Sequence, residues 1–189
     1  MDVTFIPARR HIGGFSLVEL MLVLAMLLIL FGMAAPSLSD LRLDSQRSAQ
    51  LNGLLGHLYY ARSEALKRGE WVSICKSADG EYCTASGDWE QGWIIYEDRN
   101  RNRARDPGET ILLNHQVSGQ LRIRYSAYPV YSSNRYAIYY PDGSSLGNGT
   151  FTFCDRRGAE HARAVILAKS GRARSSDLAS NGSALSCPT

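Results

Sequence analysis

The sequence predicts an α+β protein: one long N-terminal helix packed on a C-terminal antiparallel β-sheet or sandwich domain. Three observations predict it. Residues 15–35 form an apolar run with one charge, Glu19. A helical repeat of leucines and alanines follows, as far as Leu66. Beyond Gly69 the apolar period changes to two, in seven short runs separated by Gly, Asn, Ser or Pro. The chain has 189 residues; with about 35 of them in the N-terminal segments, the rest suffices for one domain. With 21% charged and 10% aromatic residues the composition is that of a globular protein, not of a disordered or fibrous one.

The first element is the apolar run. Its 21 residues cover roughly 30 Å as a helix, the thickness of a bilayer's hydrocarbon core. Arg9, Arg10, His11 and Gly13-Gly14 stand before it. A secretory signal has its small-residue cleavage site after the apolar region. Here the small residues come first, so cleavage after Gly14 would leave the apolar helix on the mature chain. Glu19 is an ionisable residue inside a membrane-type helix, where a charge costs about 2.5–3.5 kcal/mol and signals function. Pro36, with Gly32 nearby, should kink or loosen the helix. From Leu38 the pattern is amphipathic: Leu51, Leu54, Leu55, Leu58, Ala61, Ala65 and Leu66 recur at helical spacing, with Arg47, Gln50, Arg62, Glu64 and Lys67 expected largely on other faces. Gly69, after Lys67 and Arg68, is the expected helix stop. The chain thus divides into residues 1–14, 15–37, 38–68 and 69–189.

The strands follow in order: Trp71-Val72-Ser73-Ile74-Cys75, Trp93-Ile94-Ile95-Tyr96, Thr110-Ile111-Leu112-Leu113, Leu121-Arg122-Ile123-Arg124-Tyr125, Tyr136-Ala137-Ile138-Tyr139-Tyr140, Phe151-Thr152-Phe153-Cys154 and Ala164-Val165-Ile166-Leu167-Ala168. Four cysteines in a chain with an export-type N-terminus read as two disulfides in an oxidising compartment. Three pairings are open, and the local one, Cys75–Cys83 with Cys154–Cys187, is favoured. A zinc site is disfavoured because no CxxC pair is present.

Gly14 before Phe15 and Glu19 four residues after it resemble the class III signal of type IV prepilins and pseudopilins. That resemblance implies cleavage between Gly14 and Phe15 by a prepilin peptidase, N-methylation of Phe15, and a meeting of Glu19 with a neighbouring subunit's N-terminal amine during assembly. Further blocks narrow it: Tyr60-Ala61-Arg62-Ser63-Glu64-Ala65, Gln91-Gly92-Trp93-Ile94-Ile95-Tyr96-Glu97-Asp98, Tyr140-Pro141-Asp142-Gly143, Phe151-Thr152-Phe153-Cys154-Asp155 and Ser170-Gly171-Arg172-Ala173-Arg174. Together they resemble the GspH/FimT family of minor type IV pilins and minor pseudopilins. The resemblance implies an inner-membrane subunit with a periplasmic domain before assembly, and a filament subunit beside other pilins or pseudopilins afterwards. It leaves a pilus and a type II secretion pseudopilus both open.

No constellation points to an enzyme or a cofactor. Gly143-Ser144-Ser145-Leu146-Gly147 matches G-x-S-x-G, but Gly147-Asn148-Gly149 follows where a nucleophile elbow needs a helix. His57, His115 and His161 have no triad or metal spacing. Residues 98–109 place oxygen-bearing side chains at calcium-loop positions 1, 3, 5, 9 and 12. Arg103 stands where the turn wants glycine and four arginines are interleaved, so a solvated loop is the preferred reading and no metal is expected.

Net charge is +3, or +2 once residues 1–14 are removed, so local distribution matters more. Arg156, Arg157, Arg163, Lys169, Arg172 and Arg174 face only Asp155 and Glu160 over the same stretch. Arg172 and Arg174 flank one residue, so a strand would present both to one side. Guanidinium groups suit phosphate through bidentate bonds. In FimT-like members of the family a Gly-Arg-x-Arg element is implicated in binding DNA, so the resemblance implies sequence-independent DNA capture as one role and pure filament assembly as the other.

Overall fold

The computed structural model describes residues 14, 16–85, 89–117, 119, 121–128 and 134–187, with the side chains of residues 32–37 excepted. Arg9, Arg10, His11, Gly13 and Phe15 therefore lie outside the described residues. Two compact units are present, Met1–Arg42 and Leu43–Thr189. One helix, α1 (Leu17–Arg68), contributes to each.

In the first unit the helical assignment continues through Gly32 and Pro36. A proline removes one hydrogen bond, and the flanking turns here still close. Every described side chain from Leu17 to Phe31 is exposed, Leu17 at 73% and Phe31 at 68%. Among the described residues no helix is long and apolar enough to cross a membrane.

In the second unit α1 stops as its sequence dictates. Gly69 takes φ 67°, and its amide donates to the Ala65 carbonyl at 3.0 Å. Eight strands follow: β1 (Val72–Lys76), β2 (Gly92–Glu97), β3 (Ile111–Gln116), β4 (Arg122–Tyr128), β5 (Tyr136–Tyr139), β6 (Asn148–Cys154), β7 (Arg163–Leu167) and β8 (Ala173–Ser176). They form two four-stranded sheets with the orders β3-β2-β1-β5 and β4-β6-β7-β8, each paired antiparallel throughout. The eighth strand is absent from the sequence reading. Its residues, Ala-Arg-Ser-Ser, carry little strand propensity; pairing with β7 (Leu167 opposite Ala173, Ile166 opposite Arg174) forms it.

One core joins the helix to both sheets. Leu51, Leu54, Leu58, Ala61 and Ala65 meet Val72, Ile74, Trp93, Ile95 and Tyr139 of one sheet and Ile123, Phe151, Phe153, Val165 and Leu167 of the other. Three helix expectations need correction. Leu66 is 52% exposed, whereas Arg47 and Glu64 are buried. Glu64 is tolerated there because Arg68 Nε donates to it at 2.5 Å, and Arg68 also pairs with Glu97.

The cysteines pair as Cys75–Cys83 and Cys154–Cys187. The second bond holds the C-terminal segment over the outer face of the β4-β6-β7-β8 sheet, where Leu185 packs with Cys154, Ala162 and Ala164.

Candidate functional site

Two regions carry the candidate residues. At the N-terminus Glu19 is exposed in the first turn of α1, and the Leu20 amide donates to the Ser16 carbonyl at 3.1 Å. A carboxylate there complements the helix's positive end. Gly14 is exposed ahead of it.

The basic residues of the C-terminal region are dispersed. Residue 163 opens β7 and residue 169 lies in the turn beyond its far end, with the strand's length of about 13 Å, at 3.3 Å per residue, between them. Arg163 shares the inward parity of Val165 and Leu167, whereas Arg174 lies opposite Ile166 on the outer face. Arg163 is also paired with Asp177 at 2.7 Å. Arg156 is exposed in the turn after β6.

Arg157 is a correction to the DNA-facing set. Its side chain is only 13% exposed and bonds Asp44 Oδ1 at 2.5 Å and Asp155 Oδ2 at 2.8 Å. Arg47 joins from α1, donating to Asp155 at 3.2 Å, to Asp44 at 2.7 Å and to the His161 carbonyl. The Arg157 hydrogen bond holds the Asp155 carboxyl below its ordinary value, against the opposing effect of burial. These four charges clamp the turn after β6 to the helix, and they engage Arg157 through its Nε and Nη2.

What remains together is the β7–β8 turn. Lys169, Arg172 and Arg174 are exposed, while Ala173 between the two arginines is 1% exposed and points into the core. The turn docks on α1: Tyr59 Oη donates to the Ala173 carbonyl at 2.6 Å, and Arg62 donates to the Ser170 carbonyl at 3.2 Å. Gly171 takes φ 77°, and a Cβ there would collide with the Gly143 carbonyl oxygen. The Pro141-Asp142-Gly143 and Gly171-Arg172 blocks thus meet in space, and the glycines permit that approach. Neither Arg172 nor Arg174 has an ion pair among the described residues.

Sequence reasoning did not include Arg62, which meets this turn, or Arg124, exposed on the opposite edge strand β4. Arg124 was legible in the alternation of Leu121-Arg122-Ile123-Arg124-Tyr125, which turns the arginines outward as the apolar residues turn in. Between the β4 and β8 edges runs a groove of about 740 Å³, lined by Ser126, Tyr128, Thr150, Ile166 and Arg174 and by the C-terminal segment.

The remaining candidates have structural roles. Ser145 is 1% exposed, donates to the Gly147 carbonyl at 2.7 Å, and is followed by β6, not a helix. Trp93 Nε1 donates to His57 Nδ1 at 3.1 Å, so that nitrogen carries no proton. His115 lies against the same ring, 5.0 Å from His57, and burial lowers the pKa of both imidazoles.

Two family models match the sequence: Type II transport protein GspH over residues 50–171, and the prokaryotic N-terminal methylation motif over residues 9–35. The pilin-like protein PilA1 of Thermus thermophilus is 31% identical over 162 residues, 85% of this chain and 96% of that one. In fold, the chain resembles the type IV minor pilin FimU of Pseudomonas aeruginosa, with TM-score 0.54 and 20% identity over 76% of this chain and 96% of that one. It also resembles the minor pseudopilin EpsH of Vibrio cholerae, with TM-score 0.50 and 8% identity over 71% of this chain and 97% of that one.

Proposed function

This chain belongs to the GspH family, and from that premise we propose that it is a minor type IV pilin whose exposed arginines catch DNA. The observation that carries the filament role is the helix from Leu17 to Phe31, exposed on every described side chain and charged only at Glu19. Such a surface is stable in water only when covered. A bilayer covers it before assembly, as a single-pass inner-membrane anchor with a periplasmic domain; neighbouring subunits cover it in the filament. Glu19 then pairs with a neighbour's N-terminal amine, each charge offsetting the other's desolvation and fixing register.

Processing is the first test. Co-expressed with a prepilin peptidase, the chain should lose residues 1–14 and carry one methyl group on Phe15, read by mass spectrometry. Gly14→Val should leave it uncut. An intact leader on the wild type would overturn the assignment.

DNA capture rests on Arg172 and Arg174, exposed on either side of the buried Ala173, and on the exposed Lys169 three residues before Arg172. Duplex binding by the full chain in detergent, with disulfides formed, should weaken steeply with salt, by about 0.9 log units per log unit of salt for each phosphate engaged. Arg172→Gln/Arg174→Gln should flatten that slope by about 2 and remove most binding. Binding equal to wild type would clear these residues. An absence of binding at low salt favours the second reading, in which the same surface meets acidic partner subunits of a pilus or pseudopilus.

A further inference from the structure

We propose that DNA contact extends from the β7–β8 turn onto the loop between β2 and β3, with Arg101 and Arg103 as two further phosphate ligands on one continuous surface. The proposal rests on the reading that Arg172 and Arg174 catch DNA. In the sequence these two sets of arginines are far apart; the fold brings them to one place.

A chain of contacts joins the loop to the turn. The Arg101 guanidinium lies 5.5 Å from the centre of the Trp71 ring, and that ring meets Tyr140 edge-on at 4.8 Å. Arg103 lies 5.8 Å from the centre of the Tyr136 ring and donates to its Oη at 3.2 Å. The Arg103 charge also reaches Tyr140: burial raises the pKa of that phenol, and Arg103 opposes the rise. Tyr140 opens a turn that closes at Gly143, whose amide donates to the Tyr140 carbonyl at 2.9 Å. Gly143 is where the β7–β8 turn docks, and the next contact is the Ser145 amide donating to the Lys169 carbonyl at 2.9 Å. Arg101, Arg103, Lys169 and Arg172, all exposed, therefore border one surface.

The loop arginines are prepared for phosphate. Arg101 and Arg103 take φ 61° and 68°, in the left-handed region that non-glycine residues seldom occupy and that often marks functional sites. A guanidinium held over a ring has lost much of its rotamer freedom before a ligand arrives, so less is lost on binding. Its fork still offers donors that match phosphate oxygens. Neither Arg101 nor Arg103 has an ion pair among the described residues. The other two arginines of the loop are committed. Arg99 pairs with Glu97 at 2.8 Å. Arg105 lies 5.3 Å from the centre of the Tyr82 ring and donates to the Glu109 carbonyl at 3.3 Å.

The acids of the loop hold its shape. Asp98 and Glu109 are buried. Asp98 accepts the Arg103 amide at 3.1 Å and the Ser73 hydroxyl at 3.0 Å. Glu109 accepts the backbone amides of Arg99 and Asp106, at 2.9 and 3.0 Å. Asp106 accepts the side-chain amides of Asn100 and Asn102, at 2.7 and 2.6 Å. In the neighbouring segments Glu70 and Asp142 are exposed, two acids against the four cations. That excess is spread over linked segments and not gathered in one pocket. It fits a polymer with a charge on every nucleotide better than a small anion.

The test is arginine modification by phenylglyoxal on the full chain in detergent, disulfides formed, with and without duplex DNA, read by mass spectrometry. Duplex should shield Arg101 and Arg103 together with Arg172, and leave Arg163, at the other end of β7, as reactive as before. Arg101→Gln/Arg103→Gln should flatten the log–log salt slope of duplex binding by about 2, and Arg101→Lys/Arg103→Lys, which keeps both charges, should restore it. Shielding of Arg172 with Arg101 and Arg103 still reactive, equal shielding of Arg163, or a wild-type slope in the glutamine variant would overturn the extension and leave DNA capture by the β7–β8 turn standing. No duplex binding at low salt would overturn both.

Discussion

Asp155→Ala is expected to destabilise the folded chain by about 3 kcal/mol, which lowers Tm by roughly 10 °C in a protein of this size. Its carboxylate is 1% exposed and accepts from Arg47 and, twice, from the Arg157 side chain. Truncation deprives two guanidiniums, 6% and 13% exposed as side chains, of the carboxylate they share, while Asp44 and the His161 carbonyl still accept from them. The cost is that of uncompensated charge, larger than the net worth of the pairs. Arg163→Ala, which breaks the exposed pair with Asp177, should cost at most about 1 kcal/mol. The clamp also has a pH signature. The Asp155 pKa is lowered by folding, so its contribution is complete above the ordinary value of 3.8 and is lost as pH falls through the folded value. Acid melting curves of wild type and variant should therefore begin to approach only below the ordinary value and meet below the folded one. Equal melting at neutral pH would show that the clamp contributes nothing.

Gly171→Ala is expected to cost about 3 kcal/mol. Two effects add. The residue holds φ 77°, which an alanine adopts at a cost of about 1 kcal/mol. Its new methyl would also meet the Gly143 carbonyl oxygen, which is itself fixed in a turn. Gly69→Ala separates them: φ is 67° at the helix stop and nothing lies within 4 Å of its Cβ. That variant should lose only about 1 kcal/mol. Comparable melting of the two would mean that the turn shifts freely and that the close approach of the two glycines is unimportant.

The helix, its stop at Gly69 and the seven apolar strands were legible because burial stamps its period on the chain. Residues such as Trp93, Ile95, Phe151 and Phe153 leave no other reading. The eighth strand was not legible, since Ala173 alone carries its inward signal and pairing with β7 supplies the rest. The basic surface was half legible. Alternation about Ala173 put Arg172 and Arg174 on one side, but charge counting along residues 155–174 merged two ends of a strand and swept in Arg157. No local pattern tells a paired, half-buried arginine from an exposed one when its partners, Asp44 and Asp155, are 113 and 2 residues away. The loop at 98–109 shows the converse. Its oxygen spacing was visible in the sequence, whereas the stacking of its arginines on Trp71, Tyr136 and Tyr82 depends on segments brought in from three other places.

The fastenings between α1 and the β7–β8 layer have a mechanical consequence. One is at Arg47, on Asp155; the other is at Tyr59 and Arg62, on the turn at residues 170–173. They are about 20 Å apart along the helix axis. A tug on the helix along its length therefore loads both at once, in shear, together with the leucines between them, instead of peeling them one after the other. A subunit hauled by its helix would keep its sheets seated until both yield together.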